Sequence, residues 1–354
     1  MKTLRVNSLD ICKCFAIMFI ILTHVLQRTI PHYTDQIISS FFLVMGVPIF
    51  FFISGICASY RKPLSPLGFT YDIIKRALMY MWPFVLFLIL RNAFYNQFES
   101  FSKGWAMYME YPAYGLWVLW VLAWINVFID LGLLLGRYIP KVGKYIAVLM
   151  LIIAFIVFIC LKEKGVIPSY HFLGYDYIVV YVPIFIIGYL IGDYIFKLYN
   201  KVTSILFAAF GLVGTFMLCI FVKPFLSSGY HIEDNLYIYY LAAGMAIMFY
   251  YGISTLLERV KVRKLFAFMG QFTLEAYFLH LVLLKNWGMM NFNNVFITTM
   301  VSIGLFLLCI VNTIAVVAVL YFIPFGHFLM FGRHYSFYKF ENKIFDSLKN
   351  YCLR

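Results

Sequence analysis

Charge is what this sequence has least of. Asp, Glu, Lys and Arg make up 12% of its 354 residues, about half the share of a soluble domain. Acidic groups are the scarcer kind, 15 against 28 Lys and Arg. With 64% of residues hydrophobic, a globule of this length cannot hide its apolar surface from water. A soluble enzyme and a disordered chain are therefore excluded. Cysteine is sparse too. Four of the seven, Cys57, Cys160, Cys219 and Cys309, sit inside apolar runs, which excludes a secreted disulfide scaffold. No Cys or His completes a ligand spacing around Cys12 and Cys14, so no metal is expected. No basic and aromatic module stands apart from the apolar runs, so nucleic acid is not an expected partner.

What is present is apolar length. Runs long enough to span a bilayer occur at 9–27, 38–59, 77–95, 115–136, 143–161, 176–196, 204–222, 236–257, 265–284 and 296–324. Helices are the expected form, because lipid satisfies no backbone hydrogen bonds. The expected fold is thus all-α, a polytopic bundle of about ten transmembrane helices forming one domain over 1–354. The first run carries Asp10, Lys13 and His24 and lacks a small-residue cleavage pattern, so it reads as a span and not as a cleaved signal peptide. The longest outer loops, 96–114 and 223–235, are too short for a separate domain.

Basic residues orient the spans. With the N-terminus in the cytoplasm, 21 of the 28 Lys and Arg fall on the inner side and 7 on the outer. That bias predicts ten spans with both termini cytoplasmic. The net charge of +13 is then largely a property of the inner surface, which meets anionic lipid and would also attract a phosphate-rich cytosolic ligand.

Ionisable groups inside the runs are candidate functional residues, because each is expensive there. Asp10 and Lys13 are three apart and can pair. Lys13 and His24 are eleven apart, which puts them about 20° from one another around a helix and about 16 Å apart along it. One stripe therefore has a charged inner end and a titratable imidazole, a candidate general base, near the outer surface. A packing histidine bonded to a neighbouring helix is the alternative. In the ninth run, Thr273, Tyr277 and His280 approach one stripe, with His280 again near the outer surface. Two outer-facing histidines on separate helices could line one cavity. Glu275, at mid-depth, needs a partner or water; it pairs with a basic group or bridges helices.

Two further features have both a structural and a functional reading. Arg61, Lys62, Lys75 and Arg76 crowd the first inner connection. Arg and Lys bind phosphate, and ordinary inner-surface charge also explains each residue singly. Trp117, Trp120 and Trp124 have helical spacing. They make a packing or lipid-interface face, or a surface on which a sugar stacks. Asn126 and Asp130, deeper in the same run, read as helix-packing residues.

Several of these segments resemble the acyltransferase 3 family, ten-span membrane acyltransferases that modify cell-surface glycans. The resemblance is carried by Lys13 with ten spacers to His24, by FFFISG at 50–55, GLWVL at 115–119, FIIGYLIG at 185–192 and GQFTLEAYFLH at 270–280. These occur in the family's order over nearly the whole chain. Two departures stand out. Lys13 replaces the commoner Arg. The family's Arg-x-x-Arg before a proline is met by Arg76-x-x-Met79 before Pro83, which leaves Lys75 or Arg61 to supply the second charge.

The resemblance implies an O-acyltransferase of the bacterial inner membrane that uses cytoplasmic acetyl-CoA as acyl donor. The phosphates would meet Lys13, Arg76 and the neighbouring Arg61 and Lys75, with the thioester near His24. His24 would take the proton from a hydroxyl of a cell-surface or lipid-linked carbohydrate, while Tyr277 or His280 steadied the oxyanion. Asp10, Ser54, Trp117 and Glu275 would support the site. An acyl-enzyme is less expected, because no Ser or Cys sits beside His24 in sequence, though Ser54 stays open as a neighbour in space. Implied partners are membrane lipid, the glycan acceptor and polysaccharide biosynthesis machinery. The rival from another class is a multi-span transporter or exporter of a polysaccharide or lipid-linked sugar, although no inverted repeat is visible.

Overall fold

The computed structural model describes residues 7–30, 37–95, 100–110, 116–139, 142–166, 174–192, 200–227, 236–284, 290 and 294–332. Both chain ends, on which the cytoplasmic placement of the termini rests, lie outside these, as do most of the predicted outer loop 223–235 and residues 193–196 of the sixth predicted span.

The described chain is helical. The helices are α1 (Asn7–Thr29), α2 (Ile37–Ser59), α3 (Pro66–Arg76), α4 (Trp82–Tyr95), α5 (Phe101–Glu110), α6 (Trp117–Gly136) and α7 (Gly143–Glu163). They continue as α8 (Tyr175–Ile191), α9 (Lys201–Ser227), α10 (Leu236–Leu257), α11 (Arg263–Met269), α12 (Thr273–Leu284), α13 (Val295–Phe322) and α14 (Gly326–Phe331). Among the described residues nine helical stretches are long and apolar enough to cross a membrane. The sixth predicted span is a shorter apolar helix, Tyr177–Ile191. The chain is therefore a multi-pass, all-α membrane protein.

Two predicted spans differ in outline. The third begins at 66 and not at 77, because α3 runs into a π-helical turn, Ala77–Met81, that leads into α4. Pro83 accounts for the wide turn. Its ring clashes with the carbonyl four residues back and offers no N–H, and a π segment absorbs the misfit. The ninth is broken by a 3-10 turn at Gly270–Phe272 between α11 and α12. Part of the predicted outer loop 96–114 is itself helical, as α5.

The chain forms two compact units. The first comprises Met1–Cys57 and Ile184–Ile314, the second Ala58–Pro183 and Ala315–Arg354.

In the first unit α1 packs against α10, α11 and α12. Ile11, Cys14, Ala16 and Val25 of α1 are fully buried. Phe15 stacks on Phe266 with ring centroids 5.1 Å apart, and Phe19 meets Tyr250 edge to face at 6.2 Å. Tyr250 donates its hydroxyl to the carbonyl of Met45. Two of the motif segments meet here. A Cβ on Gly55 would stand 2.1 Å from the Phe185 carbonyl oxygen, and one on Gly188 would stand 2.1 Å from that of Phe52. FFFISG and FIIGYLIG are thus the two halves of one close backbone crossing, which only glycine permits.

In the second unit α6 packs along α7 and against α3 and the π turn. Phe84 of α4 lies against Trp105, Tyr108 and Trp120, with ring centroids 5.7–6.1 Å apart. Arg91 is buried and donates to the Tyr108 hydroxyl at 2.6 Å.

Candidate functional site

In the first unit α1 is unbroken from Asn7 to Thr29, so the predicted stripe holds. Lys13 Nζ lies 3.6 Å from Asp10 Oδ1, the expected (i, i+3) pair. The Asp10 backbone is also a packing surface. A Cβ on Gly270 would stand 1.8 Å from its carbonyl oxygen. The glycine that opens GQFTLEAYFLH therefore lets the turn between α11 and α12 rest on the inner end of α1.

The outer end of α1 is tied down as well. Thr29 Oγ1 and Ser302 Oγ, both buried, are 2.7 Å apart and join α1 to α13. The Arg28 carbonyl accepts from the Met290 amide at 2.8 Å. His24 sits between these anchors.

The two predicted histidines meet. The rings of His24 and His280 are 5.3 Å apart between centroids and tilted by 31°. Tyr277 joins them, 5.8 Å from His280. His24 is partly exposed, while His280 is fully buried.

Each imidazole is held at Nδ1 by an oxygen. His24 Nδ1 lies 2.9 Å from Gln27 Oε1, and His280 Nδ1 lies 2.8 Å from the Ala276 carbonyl oxygen. A carbonyl oxygen only accepts, so in both neutral rings Nδ1 carries the hydrogen and Nε2 presents a lone pair. At His280 that Nε2 is buried and without a hydrogen-bond partner. This arrangement supplies two bases side by side. It leaves a neutral His280 no hydrogen with which to stabilise an oxyanion.

Glu275 is fully buried in the first turn of α12. The 3-10 break places a fresh helix N-terminus there, and the positive end of the helix dipole favours a carboxylate. Ser54 is half-buried on α2, and among the described residues no hydrogen bond joins it to His24.

The basic candidates Arg61, Lys75 and Arg76 belong to the second unit. Lys75 is exposed. Arg76 is buried at the end of α3 and grips Asp130 of α6 in a fork: Nη2 donates to Oδ1 at 3.0 Å and Nε donates to Oδ2. Arg61 Nη1 reaches the same Oδ1 at 3.0 Å. Asn126 Oδ1 accepts from both guanidiniums, and its own amide donates to the Leu122 carbonyl at 2.6 Å. Asp72 adds a second carboxylate 3.8 Å from Arg76. Burial and the neighbouring Arg76 lower the Arg61 pKa, with Asp130 pulling the other way. Asp130 and Asn126 do pack helices, as expected, and they do so by holding two cations.

Met79, at the place of the family's second Arg, lies within the π turn. Trp117 stacks on Tyr177 at 4.0 Å between centroids, and Trp120 meets Trp124 edge to face at 6.0 Å. One face of the Trp117 ring is thus already covered.

A family model for an acyltransferase domain, that of acyltransferase 3, matches residues 6–322. The chain belongs to the acyltransferase 3 family. The match takes in parts of both units and every candidate residue named above. No curated protein and no solved structure matches this acyltransferase.

Gln27 is the site residue that sequence reading missed. The signal was there: three residues beyond His24, it lies on the same helical face.

Proposed function

We propose that this family member transfers an acetyl group from cytoplasmic acetyl-CoA to a hydroxyl of a cell-surface or lipid-linked carbohydrate, with His24 as general base. The observation that carries this reading is the Gln27 contact, which holds His24 by Nδ1 and leaves Nε2 to take a proton. The hydroxyl gives its proton to His24 Nε2 while its oxygen bonds to the thioester carbon. Tyr277 donates to the oxyanion that develops. The intermediate collapses with breakage of the carbon–sulfur bond, and the proton on His24 passes to the departing thiolate. The products are an acetyl ester and free coenzyme A, and His24 is neutral again.

At the donor end, Lys13 closes the stripe on α1, about 16 Å from His24 along the helix, a span suited to a long thin pantetheine arm. Arg61, Lys75 and Arg76 are proposed for the phosphates on charge. Asp130 occupies most of the Arg76 fork, and Asp130 and Asn126 hold both Nη groups of Arg61, so the exposed Lys75 is the better suited. Ten spans with both termini cytoplasmic place Lys13 on the side where acetyl-CoA is made.

Purified protein in nanodiscs, given acetyl-CoA and a carbohydrate acceptor, should release free thiol. His24→Ala should lower the rate by roughly 100- to 10,000-fold, the usual contribution of a positioned base. Undiminished turnover in that variant would remove His24 from the mechanism. Vesicles that carry a glycan across without thiol release would favour the exporter.

A further inference from the structure

We propose that His24 and His280 together read a vicinal diol. The acceptor's nucleophilic hydroxyl donates to His24 Nε2, and the hydroxyl on the adjacent carbon donates to His280 Nε2. This rests on the acyl-transfer reading above and adds to it a requirement on the acceptor.

The inference comes from counting hydrogens. Both Nδ1 atoms are committed to oxygen acceptors, at 2.9 Å for Gln27 and 2.8 Å for Ala276. Each neutral ring therefore offers one lone pair, at Nε2. The rings lie 5.3 Å apart between centroids on two different helices, a separation that the two hydroxyls of one small molecule can bridge. A single hydroxyl has one hydrogen and can satisfy only one of the two nitrogens. A pair of adjacent hydroxyls has two. The buried Nε2 of His280 has no partner from the protein, and a buried acceptor left unmatched is penalised. A monohydroxy acceptor would leave that penalty in place, and a diol removes it. His280 is thus a positioning residue: it turns the acceptor so that one chosen hydroxyl faces His24, and so it selects the position that is acylated.

The test uses the full chain in nanodiscs with 15N-labelled histidine. His24→Gln and His280→Asn assign the two imidazoles. We expect His280 in the Nδ1–H form. Titration with trans-1,2-cyclohexanediol should move the Nε2 resonances of both rings, whereas cyclohexanol should leave that of His280 in place. An Nε2–H form of His280, or equal responses to the two probes, overturns the proposal. In parallel, the ratio of thiol release with diol to that with cyclohexanol should exceed ten in the wild type. It should fall towards one in His280→Asn, whose shorter amide stops short of the Nε2 position, and recover in part in His280→Gln, whose amide oxygen reaches it. An unchanged ratio in His280→Asn also overturns it. Absence of acetyl-CoA turnover with every acceptor would sink the acyl-transfer reading instead. The tautomer and the two titrations would still decide the role of the histidine pair.

Discussion

Gln27 Oε1 stands 2.9 Å from His24 Nδ1, one helical turn further along α1. The contact fixes both the tautomer and the rotation of the ring. Gln27→Leu keeps the bulk and removes the acceptor. It should lower kcat by about 10- to 100-fold, the equivalent of one lost buried hydrogen bond, with KM for acetyl-CoA unchanged. Gln27→Glu keeps an acceptor oxygen and should retain most of the activity. A fall in KM and kcat together, or equal losses in the two variants, would mark Gln27 as a packing residue.

The Arg76 fork on Asp130 makes a prediction about stability that does not depend on catalysis. Arg76→Ala leaves Asp130 paired with Arg61 at 3.0 Å. Asp130→Ala leaves two guanidiniums facing one another with only Asp72, 3.8 Å from Arg76, to offset them. Breaking a buried ion pair from one side costs about 3–5 kcal/mol, and the asymmetry predicts a larger loss for Asp130→Ala. Thermal unfolding in detergent should rank the variants in that order. The double variant should destabilise by less than the sum of the two. A larger loss in Arg76→Ala would contradict the arrangement.

Much of the first unit's site could be read from spacing. Ten residues between Lys13 and His24 place both on one face of any straight helix, and α1 runs unbroken through them. The approach of His24 to His280 followed from two outer-facing histidines on apolar helices, with no knowledge of how those helices pack. The arginine cluster was harder to see. In a hydropathy profile Asp72, Lys75 and Arg76 look like a polar loop, because nothing local reveals that Asp130, some fifty residues on, neutralises Arg76. The same blindness put the start of the third span at 77. The 3-10 turn at Gly270–Phe272 was invisible for a related reason: it rests on the Asp10 carbonyl of another helix, and composition records no such contact.

That contact can be probed by adding one carbon. In Gly270→Ala the new Cβ would stand 1.8 Å from the Asp10 carbonyl oxygen, and backbone cannot yield as a flexible side chain can. We expect a loss of about 1–3 kcal/mol, with a drop in activity as α12 shifts against α1. Gly244→Ala and Gly304→Ala are the controls. Both glycines are helical, and a Cβ on either would meet nothing within 4 Å. Relative to glycine, alanine in a helix interior is worth up to about 1 kcal/mol, so both variants should unfold at the same temperature or a higher one. Destabilisation of all three alike would mean that helix interiors here tolerate no added carbon, and would remove the argument for Gly270.

The sorting of basic residues, 21 on one side and 7 on the other, predicts the topology. A fluorescent protein fused after Arg354 should fold and fluoresce in the cytoplasm, and a periplasmic reporter at the same place should stay silent. Reporters inserted after Ile30 and after Lys223 should give the opposite result. The arrangement matters for the chemistry, because it sets Lys13 on the cytoplasmic side and His24 about 16 Å nearer the other face. If the reporter after Ile30 were cytoplasmic, His24 would lie at the inner surface. The acyl group would then have no membrane to cross, and the separation of Lys13 from His24 would lose its meaning for a donor that enters from the cytoplasm.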